Sequence, residues 1–305
     1  LTIIFFLNII LTNFFNWPGS KAILSFIFLS NDSLKSFEIF LSFIQFSLYF
    51  VSLFFIYIYI FKINKNSLAE DSKQLSDLAA YITRAAFWTV FLVGLVDLLI
   101  SFLVSEKAIL DSLPSGLAQL LFQPRSRILY VHVPLTVFSF LYALKNKSIG
   151  FIWLALLVVF AESLIVISRF VFSYEQAFQG DLVRFWYAAL YLFASAYALI
   201  HEGHVRVDVL YSSFSERKKA WTNLLGSSLL GVPLVLIVLF LGLNGKASII
   251  NGPVVAFEVT QQGSNGLYLL YLMAVYLAVF AVTMLLQFTS YFMGSSYKIL
   301  NGEEN

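Results

Sequence analysis

Residues 201–214 read HEGHVRVDVLYSSF and carry two of the three histidines of the chain, between two long apolar runs. A zinc site of the HExxH type needs two histidines four apart on one helical face, with a glutamate between them as base. His201 and His204 are three apart, Gly203 weakens a helix between them, and no third ligand is near in sequence. No metal and no catalytic residue are therefore expected here. Placed on a helix, Val207, Leu210, Tyr211 and Phe214 fall at i, i+3, i+4 and i+7 and form one apolar stripe. His204, Arg206 and Asp208 lie off that stripe, with His204 the i−4 neighbour of Asp208. That pattern suits an amphipathic helix lying in the membrane interface against lipid. Ser215 would cap the next helix, with Glu216 in its positively polarised first turn. Val205, Val207 and Val209 also alternate with period two, so a strand stays open.

Five further residues could do chemistry inside apolar runs, where ionisable side chains are costly and face other helices or water. Asp97 is mid-run, and Glu162 and Arg169 are seven apart on nearly one face of residues 151–172. Asp181 and Arg184 open the following run. They fit either a proton or ion path, or ion pairs that fix helix packing. In the second reading Arg169 is the cation and Asp181 or Glu162 its partner. The string RILYVHVP, Arg127 to Pro134, resembles a segment of the haem-handling membrane proteins of cytochrome c maturation, where a histidine beside proline approaches haem. Those proteins also carry a tryptophan-rich motif, whereas Trp17, Trp88, Trp153, Trp186 and Trp221 stand apart here. His201 and His204 would lie at the opposite membrane face from His132, and the absence of cysteine excludes thiolate metal sites and covalent haem. No cofactor is expected. A haem-binding membrane subunit of a redox or cytochrome c maturation complex is the alternative reading.

The elements that must hold these groups are membrane helices. Of 305 residues 60% are hydrophobic and 12% charged, about half the usual charged fraction of a soluble domain. Apolar runs near the ~20 residues needed to cross a bilayer cover Phe37–Phe61, Ala85–Val104, Ile128–Leu144, Phe151–Phe172, Leu182–Ile200, Leu224–Leu243 and Leu267–Phe292. Leu1–Trp17, which has neither a small-residue cleavage site nor a basic flank, is a candidate eighth span rather than a removable signal. The expected fold is an all-α polytopic membrane bundle of seven to eight spans, plus the interfacial helix. Residues 1–84 read as an N-terminal membrane extension ending in a polar loop from Lys62 to Arg84. Residues 85–150 read as a helical hairpin, 151–296 as a four-helix core and 297–305 as a tail. A net charge of +2 gives no reason to expect nucleic acid. Lys62, Lys65, Lys73, Arg84, Lys145, Lys147, Arg206, Arg217, Lys218, Lys219 and Lys298 fall in one set of alternate loops. Lys21, Lys35, Lys107, Arg125, Arg127 and Lys246 fall in the other. The richer set belongs in the cytoplasm by the positive-inside rule, and the C-terminus with it.

Several strings in order resemble the small membrane subunit of the TRAP (tripartite ATP-independent periplasmic) transporters, in its long form. VISRFVF, Val166–Phe172, resembles the end of that subunit's first helix, with Arg169 at its basic position. Asp181-Leu182 stands where Glu-Leu is common, and AALYLFASAYAL, Ala188–Leu199, resembles its small-residue second helix. GHVRVDVLY, Gly203–Tyr211, follows that helix. FEVTQQGSNGL, Phe257–Leu267, resembles its acidic periplasmic loop with Glu258 in the acidic place, and Gln287 matches a glutamine late in the last helix. The hairpin from Ala85 to Leu144 is similar to the extension of longer members. The resemblance implies a bacterial inner-membrane protein without a catalytic site. Its implied partners are a large membrane subunit that moves an organic acid with sodium, and a soluble periplasmic substrate-binding protein. It implies that this subunit is a fixed brace. No internal repeat and no GxxxxGK[ST] motif appear.

Overall fold

The computed structural model describes residues 2–29, 35–63, 66–106, 114, 116, 121–147, 151–200, 211–259 and 266–301. Among the described residues ten helices run in order. They are α1 (Thr2–Asn13), α2 (Ser20–Leu29), α3 (Ser36–Ile58), α4 (Leu68–Ser105), α5 (Pro124–Lys145), α6 (Phe151–Phe172), α7 (Ala177–Ile200), α8 (Glu216–Leu243), α9 (Asn251–Ala256) and α10 (Leu270–Asn301). No strand occurs among the described residues. Seven of these helices, α3 to α8 and α10, are long and apolar enough to cross a membrane. The chain is thus an all-α, polytopic membrane protein, as its apolar runs predict.

The polar stretch Lys62–Arg84 departs from the expected loop, because it is helical from Leu68 onward. Ser67 and Glu70 form a reciprocal capping box: Ser67 Oγ accepts from the Glu70 amide at 3.2 Å, and the Ser67 amide donates to Glu70 Oε2 at 2.8 Å. Two N-terminal donors are thereby satisfied, and no proline or glycine interrupts the chain before Gly94. The resulting 38-residue α4 is roughly 57 Å long at 1.5 Å per residue. That exceeds a hydrocarbon core of about 30 Å, so its polar first third projects from the bilayer.

The run Leu1–Trp17 does not make a single long helix. Helix α1 has 12 residues, roughly 18 Å, too short to span. The chain then reverses through Asn16 (φ 56°) and Gly19 (φ 84°) into α2. Non-helical backbone within a membrane must be satisfied by protein, and α3 supplies the partners. Buried Gln45 Oε1 accepts from the Gly19 amide at 2.9 Å, and Ser42 Oγ accepts from the Ile23 amide at 2.7 Å and donates to Gly19 O at 2.8 Å.

Both prolines inside spans leave the same mark. Pro134 and Pro233 cannot donate and would clash with the carbonyl four residues earlier. A wider π-helical turn precedes each, Ile128–His132 in α5 and Gly226–Gly231 in α8, and absorbs the mismatch.

The bundle centres on α4, α7 and α10, which pack on one another, with α5 against α4, α8 against α10 and α6 against α7. Val90, Val93, Leu182, Phe185, Trp186 and Tyr276 form its interior. In lipid such contacts rest on close packing rather than on expulsion of water. Gly94 allows the closest approach, since a Cβ there would lie 2.7 Å from Trp186 Nε1. That indole donates to Val90 O at 3.2 Å. At the end of α4, Glu106 Oε1 accepts from the Tyr174 hydroxyl in the α6–α7 turn at 2.6 Å. Burial, and then the adjacent carboxylate, push that phenol up to about 12, so it remains a donor at neutral pH.

Candidate functional site

A closed polar cluster sits where α4, α5 and α7 meet the start of α10. Asp97 of α4 is its centre and is wholly buried. Its Oδ1 lies 2.6 Å from Arg127 Nε, as an ion pair rather than an aligned hydrogen bond, and 2.9 Å from His132 Nε2. Arg127 also donates to Asp97 O at 2.7 Å and Ser101 Oγ at 2.9 Å. Its guanidinium lies 4.4 Å from the centre of the Tyr268 ring. His132 Nδ1 meets the Tyr271 hydroxyl at 3.0 Å. The π turn makes this convergence possible. Residues five apart sit roughly 140° apart on an ideal α-helix, whereas i→i+5 bonding brings Arg127 and His132 to one side.

The second carboxylate oxygen of Asp97 accepts the Tyr268 amide at 2.8 Å, and Asp181 Oδ2 accepts the Leu267 amide at 3.1 Å. Glu258 O accepts the Tyr271 amide at 3.1 Å. Donors at and just before a helix start have no partner within the helix, and that end carries partial positive charge. Two buried carboxylates from different helices therefore anchor the start of α10. The extension hairpin supplies one of them and α7 the other.

This arrangement revises the expected ion pairs. Asp181 is 1% exposed and turned to the Leu267 amide. Arg169 lies 3.5 Å from Glu175 Oε2, with both side chains more than half exposed. The pairing of Arg169 with Asp181 or Glu162 is thus replaced by a surface contact with Glu175, because the α6–α7 turn brings that nearer acid alongside. Arg184 is exposed on α7. Asp97 and His132, which the sequence leaves without partners, take each other. Arg127, Ser101, Tyr268 and Tyr271 are the members that sequence reasoning missed. Both His132 ring nitrogens are engaged, so the haem-ligand role weighed for it has no geometric support.

His204, Arg206, Val207, Asp208 and Leu210 of the opening stretch lie outside the described residues, as does His201. At its described end, Tyr211 Oη exchanges hydrogen bonds with Asn223 at 2.9 and 3.2 Å, while Phe214 stays exposed. Ser215 does occupy the N-cap position of α8, but its side chain makes no cap bond. Glu216 instead takes Lys219 Nζ at 2.8 Å. The Glu258 side chain is exposed, and its backbone alone takes part in the site. Gln287 is buried beside Ser72, Asn223 and Ser290 in a polar cavity of about 480 Å³.

Glu162 presents a different arrangement. It lies near the middle of α6, a helix packed against α7 alone among the described elements that make substantial contact, and its side chain is exposed. Val159, Val166 and Ile167 beside it are also exposed. On α7 nearby, the exposed Tyr187 and Tyr191 hydroxyls meet at 3.0 Å, close enough for the Glu162 charge to act on Tyr187. An apolar face thus carries a mid-membrane carboxylate and two hydroxyls on the outside of the bundle.

Residues 155–296 match the family model described as tripartite ATP-independent periplasmic transporters, DctQ component. No curated protein and no solved structure matches the chain.

Proposed function

Because residues 155–296 match the DctQ component model, we propose that this chain is the small membrane subunit of a TRAP transporter and braces the large membrane subunit of a sodium-coupled importer of an organic acid. In this reading the chain performs no chemistry and moves no substrate, and a periplasmic binding protein delivers the carboxylate to the complex. The observation that carries it is the outward-facing Glu162. An intramembrane ionisable residue ordinarily faces the bundle interior or a water-filled cavity, so one on an open apolar face calls for a neighbouring subunit. The Tyr187–Tyr191 pair adds hydroxyls for polar contact with helices of that subunit. The close-packed α4–α7–α10 centre supports the role of a fixed element, and the anchored start of α10 favours a fixed α6–α7 face.

Affinity purification of the tagged chain from native membranes, followed by mass spectrometry, tests the reading. The large subunit is expected to co-purify with the wild type and to be lost by at least about tenfold with Glu162→Lys, since like or unpaired charge is heavily penalised without water. Sodium-driven uptake of the organic acid should fall in step, and the lone reconstituted chain should take up none. Uptake by the lone chain, or undiminished co-purification of Glu162→Lys, refutes the proposal.

Orientation has its own test. The charge asymmetry of the loops favours a cytoplasmic Ser213, which is exposed. In this cysteine-free chain a cysteine at Ser213 should react with a membrane-impermeant thiol reagent in inside-out vesicles and be spared in spheroplasts. The opposite pattern inverts the topology.

A further inference from the structure

We infer that the groove between α4 and α6 binds an anionic phospholipid of the cytoplasmic leaflet, with its acyl chain among aromatic residues and its phosphate against Arg84. This inference rests on the membrane orientation and not on the transporter reading. The groove encloses about 860 Å³. One wall is a stripe of α4 at i+3, i+4 and i+7 from Arg84, namely Phe87, Trp88 and Phe91. The other is a stripe of α6 that includes Trp153, Leu156 and Phe160. Phe160 and Glu162 are two residues apart, hence roughly 200° around the helix. Phe160 thus points away from Glu162, while Val159 and Ser163 border both the groove and the Glu162 face.

The polar end of the groove selects the occupant. Arg84 continues the α4 stripe by one turn, at the boundary where the apolar run begins. Its Nε and the Trp88 Nε1 are both shut off from solvent, and neither has a hydrogen-bond partner among the described residues. Asn146 also lines the groove, its Nδ2 donating to Tyr142 Oη at 3.1 Å, and Lys145 and Lys147 are exposed beside it. The end is thus rich in donors and positive, while the rest is apolar. An apolar helix from a partner would fill the groove but leave its basic end without a counter-charge. A phosphodiester with two acyl chains suits both parts: its charge meets the basic end formed by Arg84, Lys145 and Lys147, and a chain runs between the aromatic walls. Basic pockets between membrane helices at the cytoplasmic side are suited to anionic headgroups, and Arg grips phosphate with a planar fork of donors.

The full chain is reconstituted in phosphatidylcholine vesicles that carry a minor fraction of lipid brominated on its acyl chains, either phosphatidylglycerol or phosphatidylcholine. Tryptophan fluorescence is read. Brominated phosphatidylglycerol should quench more than brominated phosphatidylcholine, and the excess should shrink in Trp88→Phe. In Arg84→Ala the preference for phosphatidylglycerol should weaken roughly fivefold, the factor equivalent to about 1 kcal/mol per basic residue near an anionic surface. Arg84→Lys should retain most of it. Equal quenching by the two lipids in the wild type, a comparison that needs no variant, overturns the proposal. So does an excess that survives Arg84→Ala. Loss of the excess when the large subunit is co-reconstituted would assign the groove to a partner helix and equally overturns it.

Discussion

Replacing Asp97 by alanine is expected to lower the stability of the chain by ~3–5 kcal/mol, the usual cost of removing one member of a buried ion pair. The change strands the Arg127 guanidinium, which is 2% exposed, and removes the acceptor of the Tyr268 amide. It also releases His132 from its Nε2 partner. Asp97→Asn is a graded control, because an amide oxygen can still accept from Tyr268 but no longer balances Arg127. Arg169→Ala should change stability by less than about 1 kcal/mol, since its partnership with Glu175 is exposed to solvent. Denaturant or thermal unfolding in one detergent ranks the three. An Asp97→Ala protein as stable as Arg169→Ala would deny the cluster its structural role.

Gly94→Leu is expected to separate α4 from α7. The added Cβ alone would come within 2.7 Å of Trp186 Nε1 and 3.3 Å of the Phe185 ring. Trp186 is fully buried and cannot swing out, and its bond to Val90 O would be stretched or broken. Overpacking of this kind costs about 1–3 kcal/mol, and loss of the indole hydrogen bond leaves a buried donor in addition. Gly94→Ala should show the same sign with a smaller effect. The measurement is the unfolding midpoint together with the Trp186 emission maximum, taken in a chain whose other tryptophans are phenylalanine. An unshifted emission and midpoint in Gly94→Leu would mean that the two helices do not approach as described.

The spans were legible because each is a long run of apolar side chains, and a bilayer leaves such runs few other conformations. The strings Val166–Phe172 and Phe257–Leu267 both fall within the residues that match the DctQ family model. The cluster was not legible, for a geometric reason. Asp97 and Arg127 are 30 residues apart, and Arg127 looked like one more loop charge. Nothing in a helical wheel brings Arg127 and His132 together without the π turn. A clue was available in Pro134, which demands a distortion in the turn before it. The start of α4 was also readable, since Ser67-Leu-Ala-Glu70 is a capping-box string, but polar composition over Lys62–Arg84 suggested a loop. Helical spacing points Arg169 to Glu162 or Asp181, because Glu175 lies in the turn, where such spacing gives no guidance.

The two-carboxylate anchor of α10 has a consequence for biogenesis. The ribosome delivers α4 and α5 to the membrane well before α10 exists. Until α10 arrives, Asp97 can satisfy Arg127 and His132 but not its second oxygen, and Asp181 on α7 lacks the Leu267 amide. The α4–α5 hairpin and the much later α10 thus complete each other. A nascent chain that stops short of α10 leaves both carboxylates without their partner amides, a defect that a membrane protease can recognise before any partner is engaged.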